Sequence, residues 1–546
     1  VTGVGDAGFG RAFRAFRFTS SLRNAVPASL TIVPPNPWPG DAIRGRTMLG
    51  NVIALGGESI SVEGSPWSVA ASRPWFEALH SFAWLRDLRA VGGDAARRHA
   101  RLLTVQWLDR KPRRGDIGLR ADIAGARIGN WIAFHDFFCA SADDRFRARF
   151  FASLSHQSRG LSKALPGEFS GAPLLLAIKG LLSSALCVDG GEQRFAQAER
   201  LLLRELARQV LTDGVHAQRC PAVHAEMLAA LIDMRALYNA ARIMMPDALR
   251  QSIDRMVPAL RFFRHGDGGL ALFNGGQEGE ALLLDTILTQ ADARARPMKR
   301  AVAAGFDRMS LGRGIVIVDS GTPAAAGLDR GAHAGIGGFE MSVGRQRFIV
   351  NCGAHPGDGP WRKALAATAA HSTLTVADTN QFELIEGGGV RRRPSVDARR
   401  QDASDGMLLE ISHNGYAGLG LVHRRRLRLG DGGEELSGED ALLGSTPQRF
   451  TIRFHLHPDV HASLTGGGKT ALLQLGDGSG WRFRVDAPDP SLEVDLSLDD
   501  SVYAGSGSVP RRSSALVVSG RTRRDRDTVL RWAFRREKRP EAVGAE

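Results

Sequence analysis

The hydrophobic period of this chain changes once, and that change limits the fold more than any other feature. Up to about residue 260, apolar residues recur at helical spacing. In "RFAQAERLLLRELARQVL" (194–211), Phe195, Ala198, Leu202, Leu206 and Val210 form one stripe. Asp213-Gly214 supplies a stop beyond it, and Pro221 opens the next helix where a missing N–H costs nothing. The stripe of that helix is Val223, Met227, Leu231 and Met234. Similar patterns at 76–92, 94–109, 120–139, 144–164 and 172–188 predict a series of helical hairpins without a strict repeat.

From about residue 306 the period is two. "GIVIVDSG", "GFEMSVGRQRFIVNCG", "STLTVAD", "MLLEISHNG", "LVHRRRLRLG", "RFTIRFHLHPDV", "TALLQLGDGSGWRFRVD" and "SALVVSG" are short runs bounded by Gly, Asp or Asn. They predict an antiparallel sheet system, most simply a sandwich. A chain of 546 residues is too long for one ordinary core. The expected division is therefore a helical domain over 1–300 and a β-sandwich over 301–546, with a linker near 290–305.

The formal net charge is +13, carried mostly by arginine. Such a balance suits an acidic polymer, nucleic acid or a membrane surface, or reflects a generally arginine-rich composition. The basic runs "VRRRP" (390–394) and "HRRRLRL" (423–429) are short and sit beside strand-like segments. No zinc finger and no RNA-binding aromatic signature occurs, so nucleic acid is not the expected partner. The four cysteines include no CxxC pair, so neither a zinc ribbon nor a disulfide framework is expected. The apolar run 172–188 is interrupted by Lys179 and Gly180 and reads as a core helix, not a membrane span. The N-terminal stretch "VTGVGDAGFGRAFRAFRFTSSLRNAV" has no unbroken apolar segment, so an ordinary secretory signal is not expected there.

Five segments in this order carry a resemblance: "RIGNWIAFHDFF" (127–138), "DGVHAQRCPAVHAEML" (213–228), "HAGIGGFEMSVGRQRFIVNCG" (333–353), "TAAHSTLTVADTNQ" (368–381) and "RFHLHPDV" (453–460). With them the chain resembles the heparinase II/III-like proteins, relatives of lyases that cleave uronate-containing polysaccharides. The resemblance implies an α+β multidomain fold, an incomplete (α/α) toroid followed by an antiparallel β-sandwich. It also implies β-elimination. A uronate carboxylate is neutralised, a base removes the C5 proton, and an acid protonates the leaving oxygen.

This chain departs from the family pattern where the chemistry is carried. Val223 stands at the place of the family's tyrosine, Ala172-Pro173 at the place of its Asn-His pair, and Gly331 at the first His of its HxH. None of the three tyrosines, Tyr238, Tyr416 and Tyr503, lies in a matched motif. The remaining catalytic candidates are His216, Arg219 and His224, on the connection between two helices. Arg219 could pair a uronate carboxylate, and His216 or His224 could transfer a proton. Helix capping and a salt bridge to a neighbouring helix are the alternative for the same residues.

Arg127, Asn130 and Trp131 share a helix and are candidates for sugar binding, with plain core packing as the rival reading. His333, Asn351 and His371 match the positions of a metal site in the relatives, where the middle ligand is Asp. Zinc is the ion such a site would hold, weakly, because an amide oxygen is a poorer ligand than a carboxylate. A hydrogen-bonded cluster bracing the sandwich is equally compatible. His455 and His457 read as satisfied histidines on an inner face. The leading expectation is a polysaccharide lyase acting on an acidic uronate glycan, and the alternative is an inactive glycan-binding relative. The resemblance implies a periplasmic or envelope location; the N-terminal stretch leaves the cytoplasm open.

Overall fold

Helix caps and left-handed breaks set the boundaries of the helical part. A computed structural model describes residues 26–537 apart from 114, 293, 294, 358, 466 and 508; the N-terminal stretch considered for a secretory signal lies outside them. Asp41 caps α1 (Ala42–Leu49) by accepting from the Ile43 and Arg44 amides. A hairpin follows, β1 (Val52–Leu55) and β2 (Glu58–Ser61), turned by Gly56 and Gly57 at φ 54° and 85°. Only glycine adopts two such residues at little cost.

Ser72 caps α2 (Arg73–Ser81), and Phe82 ends it in the left-handed region, so the predicted helix 76–92 is two, the second being α3 (Leu85–Val91). Then come α4 (Gly93–Leu108), α5 (Ala121–Ala133), the single turn α6 (His135–Phe138), α7 (Asp144–Ala164), α8 (Gly171–Cys187) and α9 (Glu192–Gln209). Three further helices are α10 (Pro221–Ala241), α11 (Asp247–Phe262) and α12 (Ala281–Ala291).

Nearly every residue of α8 is buried, as expected of a helix that is apolar all round. No helix among the described residues is long and apolar enough to cross a membrane. The helices α5 and α8 cross backbone to backbone at Gly125 and Gly180: a Cβ on Gly180 would sit 2.2 Å from the Gly125 carbonyl oxygen. Gly180→Ala should therefore destabilise the helical unit by about 1–3 kcal/mol through overpacking, despite alanine's better helix propensity. Urea unfolding checks this; a neutral or stabilising result would mean that the crossing relaxes freely.

Beyond α12 the regular elements are mostly strands. In order these are β3 (Arg300–Ala301), β4 (Phe306–Leu311), β5 (Gly314–Asp319), β6 (Phe339–Val343), β7 (Gln346–Val350), β8 (Leu374–Val376), β9 (Val396–Ala403) and β10 (Gly406–His413). The short α13 (Pro360–Ala366) lies between β7 and β8. Next are β11 (Val422–Gly430), β12 (Glu435–Leu443), β13 (Arg449–Leu456), β14 (His461–Leu464), β15 (Thr470–Gln474), β16 (Gly480–Asp486), β17 (Val494–Tyr503), β18 (Arg511–Arg521) and β19 (Thr528–Arg536).

They form two antiparallel sheets. One is ordered β14-β15-β16-β19-β12-β11-β10-β9. The other is ordered β17-β18-β13-β7-β6-β5-β4-β3, with β8 beside β13. Their inner faces share one apolar core, in which Trp532 stacks on Phe339 with ring centroids 5.8 Å apart and Phe454 meets its edge at 4.7 Å. Gly438 is glycine because a Cβ there would lie 2.2 Å from the Trp532 ring.

A polar network also crosses the sandwich core. Asp440 accepts from Arg425 Nε (2.7 Å) and Nη2 (3.0 Å) and from Trp532 Nε1 (2.8 Å), and it lies 2.8 Å from His423 Nε2. Arg425 also donates to the carbonyls of Gly337 and Ser372 (2.9 and 2.8 Å), tying its sheet to loops of the other. This is the buried-charge arrangement in which every partner is satisfied.

The chain packs as two compact units. The first contains the described residues of Val1–Val210, Ala225–Val257 and Asp285–Ala293; the second contains those of Leu211–His224, Pro258–Leu284 and Arg294–Glu546. The expected single division at residue 300 does not describe this partition. Pieces of chain before residue 300 belong with the strands, because α10, α11 and α12 each contribute to both units.

Candidate functional site

The turn between α9 and α10 belongs to the second unit and is built from its own backbone bonds. The Leu211 amide donates to the Val215 carbonyl (3.0 Å), and Gly214 sits at φ 85°. The His216 amide donates to His224 Nδ1 (3.2 Å). Both rings are fully buried. Burial, and then the neighbouring His224, push the His216 imidazole down to about 3. It stays neutral near pH 7 and has no exposed face from which to exchange a proton with a substrate.

Arg219 corrects the reading in which it neutralises a uronate. It is 5% exposed and held at φ 57°. Its guanidinium donates to the carbonyls of Ala304 (2.5 Å) and Gly305 (3.1 Å) and to Asp319 Oδ1 (2.5 Å). Its Cζ lies 4.6 Å from the centre of the Phe306 ring. The sequence supplied the right interaction, a charge-assisted pair with a carboxylate, but the carboxylate is the chain's own.

The sugar-binding candidates lie in the first unit and are likewise core. Arg127 is 1% exposed, donates to Gln157 Oε1 (2.6 Å) and to the carbonyls of His80 (3.0 Å) and Gly118 (2.9 Å), and stacks on Trp107. Burial, reinforced by Arg110, lowers its pKa to about 9. Trp131 is wholly buried among Phe82, Trp107 and Phe150. Asn130, half-buried, donates to the Ser81 carbonyl (2.8 Å). Their helical spacing holds, but that stripe faces inward.

The third set is brought together in the second unit. His333 Nδ1 lies 3.3 Å from His371 Nε2, with the rings edge to face. The other His371 nitrogen, Nδ1, is 2.9 Å from the Ala367 carbonyl, so it carries the proton and Nε2 is the acceptor. Asn351 adjoins them: a Cβ on Gly338 would lie 3.5 Å from His371 Cβ and 3.6 Å from Asn351 Oδ1. Gly335 is closer still, since a Cβ there would be 2.6 Å from His371 Cδ2. The glycine density before β6 thus makes room for this imidazole.

As a metal site the set is poor. Asn351 brings no charge, and both ends of its amide are engaged, Oδ1 with the Ser372 amide (3.0 Å) and Nδ2 with the Leu272 carbonyl (3.3 Å). No group of three His, Cys, Asp or Glu residues suited to a metal occurs among the described residues. The residues fit a buried hydrogen-bonded brace better than a resident zinc ion. Asn351→Asp should reverse this by restoring a carboxylate. Zinc should raise the melting temperature of that variant by several degrees more than that of the wild type, read by thermal shift. Equal responses would show that Asn351 does not control affinity.

His455 is buried and satisfied, with Nδ1 2.8 Å from Ser501 Oγ and Nε2 2.9 Å from the Ala369 carbonyl. Cys352 Sγ is 3.4 Å from the same Nδ1, but burial pushes this thiol up to about 12, so it is no nucleophile. His457 is half-buried against Tyr503, with ring centroids 4.9 Å apart.

That contact belongs to a constellation the sequence reading missed. The Tyr503 hydroxyl donates to Glu278 Oε1 (2.5 Å). Arg347 pairs with Asp267 (2.7 Å) and lies 3.8 Å from Glu340, and Glu340 is 3.1 Å from His265 Nε2. Tyrosine, histidine, arginine and carboxylate are the residue types β-elimination uses. They come from segments more than two hundred residues apart, with no motif to join them.

Comparisons place this geometry among known proteins. The family described as Heparinase II/III-like, C-terminal, matches residues 293–533. FtsZ-localized protein C of Caulobacter vibrioides (strain NA1000 / CB15N) is 31% identical over 532 residues, covering 93% of this chain and 90% of that protein. The crystal structure of heparinase III superposes with a TM-score of 0.75 at 13% identity, over 96% of this chain and 88% of that one. A heparan sulfate lyase HepC mutant from Pedobacter heparinus gives 0.63 at 15% identity, over 92% and 83%. At such identities the structural likeness establishes the fold, a helical toroid with a β-sandwich, and nothing finer.

Proposed function

We propose that this chain, which belongs to the heparinase II/III-like family, binds an acidic uronate-containing glycan without cleaving it through the turn at 216–224. The lyase fold and the net charge of +13 support an acidic polysaccharide as partner. The observation that carries the reading is the position of Arg219, whose guanidinium is spent on Asp319 and two carbonyls. With Val223 in place of the tyrosine, that turn holds neither a free cation for the substrate carboxylate nor a phenol for proton transfer.

The test is incubation with a panel of uronate polysaccharides, following both retardation of the protein in gels containing each polymer and the ultraviolet absorbance of unsaturated uronate ends. Retardation without new absorbance is expected. Sustained formation of unsaturated ends would overturn the reading and turn attention to Tyr503, His457 and Arg347.

The relative from Caulobacter favours a second reading, that this chain also localises with FtsZ. It rests on 31% identity over nearly the full length of both proteins. A fluorescent fusion should then co-localise with labelled FtsZ, and a distribution independent of FtsZ would count against it.

A further inference from the structure

The outer face of the eight-stranded sheet carries a depression of about 350 Å³. Its origin is legible in the strand register. Across the sheet, Leu408, Arg428, Ser437, Ala533 and Arg484 are successive cross-strand neighbours on β10, β11, β12, β19 and β16. Two small residues thus lie between two arginines, and all five line the depression.

The adjoining row is different. There Glu410, Arg426, Glu439, Arg531 and Asp486 alternate in sign along the same strands. Arg426 pairs with Glu410 (2.5 Å) and Glu439 (3.3 Å), and Arg531 with Glu439 (3.1 Å). This wall is largely neutralised by its own charges. In the row of small residues the balance is open. Arg484 is exposed and faces Ala533 and Thr470 across the ladder. Arg428 has the surface carboxylate of Asp405 (2.9 Å), with side chains 44% and 75% exposed, a pair worth little in water.

We propose that this slot is a binding site for a short stretch of acidic sugar chain, with a uronate carboxylate at each arginine and a sugar ring over Ser437 and Ala533. Arg428 and Arg484 stand three strand spacings apart, roughly 14 Å between backbones. Both side chains can reach inward to carboxylates on neighbouring sugars. The slot lies on a sheet face, where the main-chain N–H and C=O groups are already paired within the ladder. An acidic peptide would therefore find no strand edge to extend, so recognition must come from side chains that meet charged groups and flat rings. The site rests on the glycan reading above and adds a location that owes nothing to the turn at 216–224.

Isothermal titration with a galacturonate hexasaccharide tests the proposal, with maltohexaose and hexaglutamate as the neutral and peptide probes. The wild type should bind the hexagalacturonate in preference to both. Arg428→Ala combined with Arg484→Ala should weaken that binding at least tenfold. Ala533→Phe, which fills the slot and leaves every charge in place, should do the same. Arg511→Ala removes an exposed arginine elsewhere on the sandwich and should leave binding within twofold. Binding that survives both slot variants would overturn this site and leave glycan binding standing. Absence of binding in the wild type would overturn both. Slot-dependent binding of hexaglutamate in preference to the sugar would replace the glycan by an acidic protein segment.

Discussion

Arg219→Ala should cost the protein about 3–5 kcal/mol of stability, because it strands a buried carboxylate. Both side chains of the pair are nearly inaccessible, 6% for Arg219 and 4% for Asp319. Burial pushes the Asp319 carboxyl up, and Arg219 pulls against it. In the variant only burial and one backbone amide remain, so the folded state holds a proton there more readily than the unfolded chain does. A carboxyl raised in this way weakens the fold above its pKa and ceases to weaken it once protonated. The deficit of the variant relative to wild type should therefore be largest near neutral pH and shrink as pH falls toward the carboxylate range. Asp319→Asn added to Arg219→Ala should recover part of the loss. Urea unfolding of the three proteins at two pH values measures all of this. A deficit under about 1 kcal/mol would show that the pair is solvated, and would return Arg219 to the list of substrate ligands.

How far the sequence carries can be judged at single residues. The stripe Phe195, Ala198, Leu202, Leu206 and Val210 is buried as its period requires. The runs that read as β5, β6, β7, β10, β11 and β13 are strands. In "HRRRLRL" the period of two even separates Arg425, which is buried, from Arg424, Arg426 and Arg428 on the other face. The strands with weak sequence signals have physical reasons. β9 reads VDARRQDA and is mostly exposed at the edge of its sheet, so its inner face offers only Val396 and Ala398 to the apolar core. β12 carries Ser437-Gly438 at its centre, a break in local propensity that the Trp532 ring demands from across the ladder. The β1–β2 hairpin has its turn in Gly56-Gly57, a local signal set between strands of only four residues in helical surroundings.

The site was less legible than the fold. Spacing identifies which residues share a face but not whether that face looks inward, and Arg127, Trp131, His216 and His224 all do. A buried arginine paired with an aspartate one hundred residues away has the same sequence signature as an arginine awaiting a substrate. His333 and His371, which the family pattern joins, lie side by side. The network around Tyr503 and the slot on the outer sheet face depend on strand order, which no local motif encodes.

Acidification to about pH 5.5 should remove at least about 4 kcal/mol of stability from the second unit. Its sandwich and adjoining turn bury His216, His413 and His455, and also the His333–His371 pair, whose imidazole pKa values burial lowers too. Burial, followed by the nearby His224, brings His216 to about 3, and burial brings His455 to about 3. His413 lies well below its usual value, first through burial and then through His423 and Arg425. In the unfolded chain each imidazole titrates near 6.5. Below that pH the unfolded state takes up protons that the folded state refuses, so stability is complete above about 6.5 and falls as pH drops. At pH 5.5 each such histidine costs about 1.4 kcal/mol, and three of them approach the total stability of a marginal domain. Asp440 acts later. Burial opposes its ionisation, but Arg425 and His423 more than reverse this and hold it well below the usual carboxylate range. Its contribution is present above that range and is lost only as pH falls through it. Urea unfolding followed by tryptophan fluorescence, with Trp481 and Trp532 reporting from the sandwich core, should therefore show a midpoint that falls steeply from pH 7 to 5.5. Replacing His413 with Gln should flatten part of that slope by removing one titrating group. A midpoint constant over that interval would mean that these imidazoles accept protons in place and that the polar network of the core opens to water.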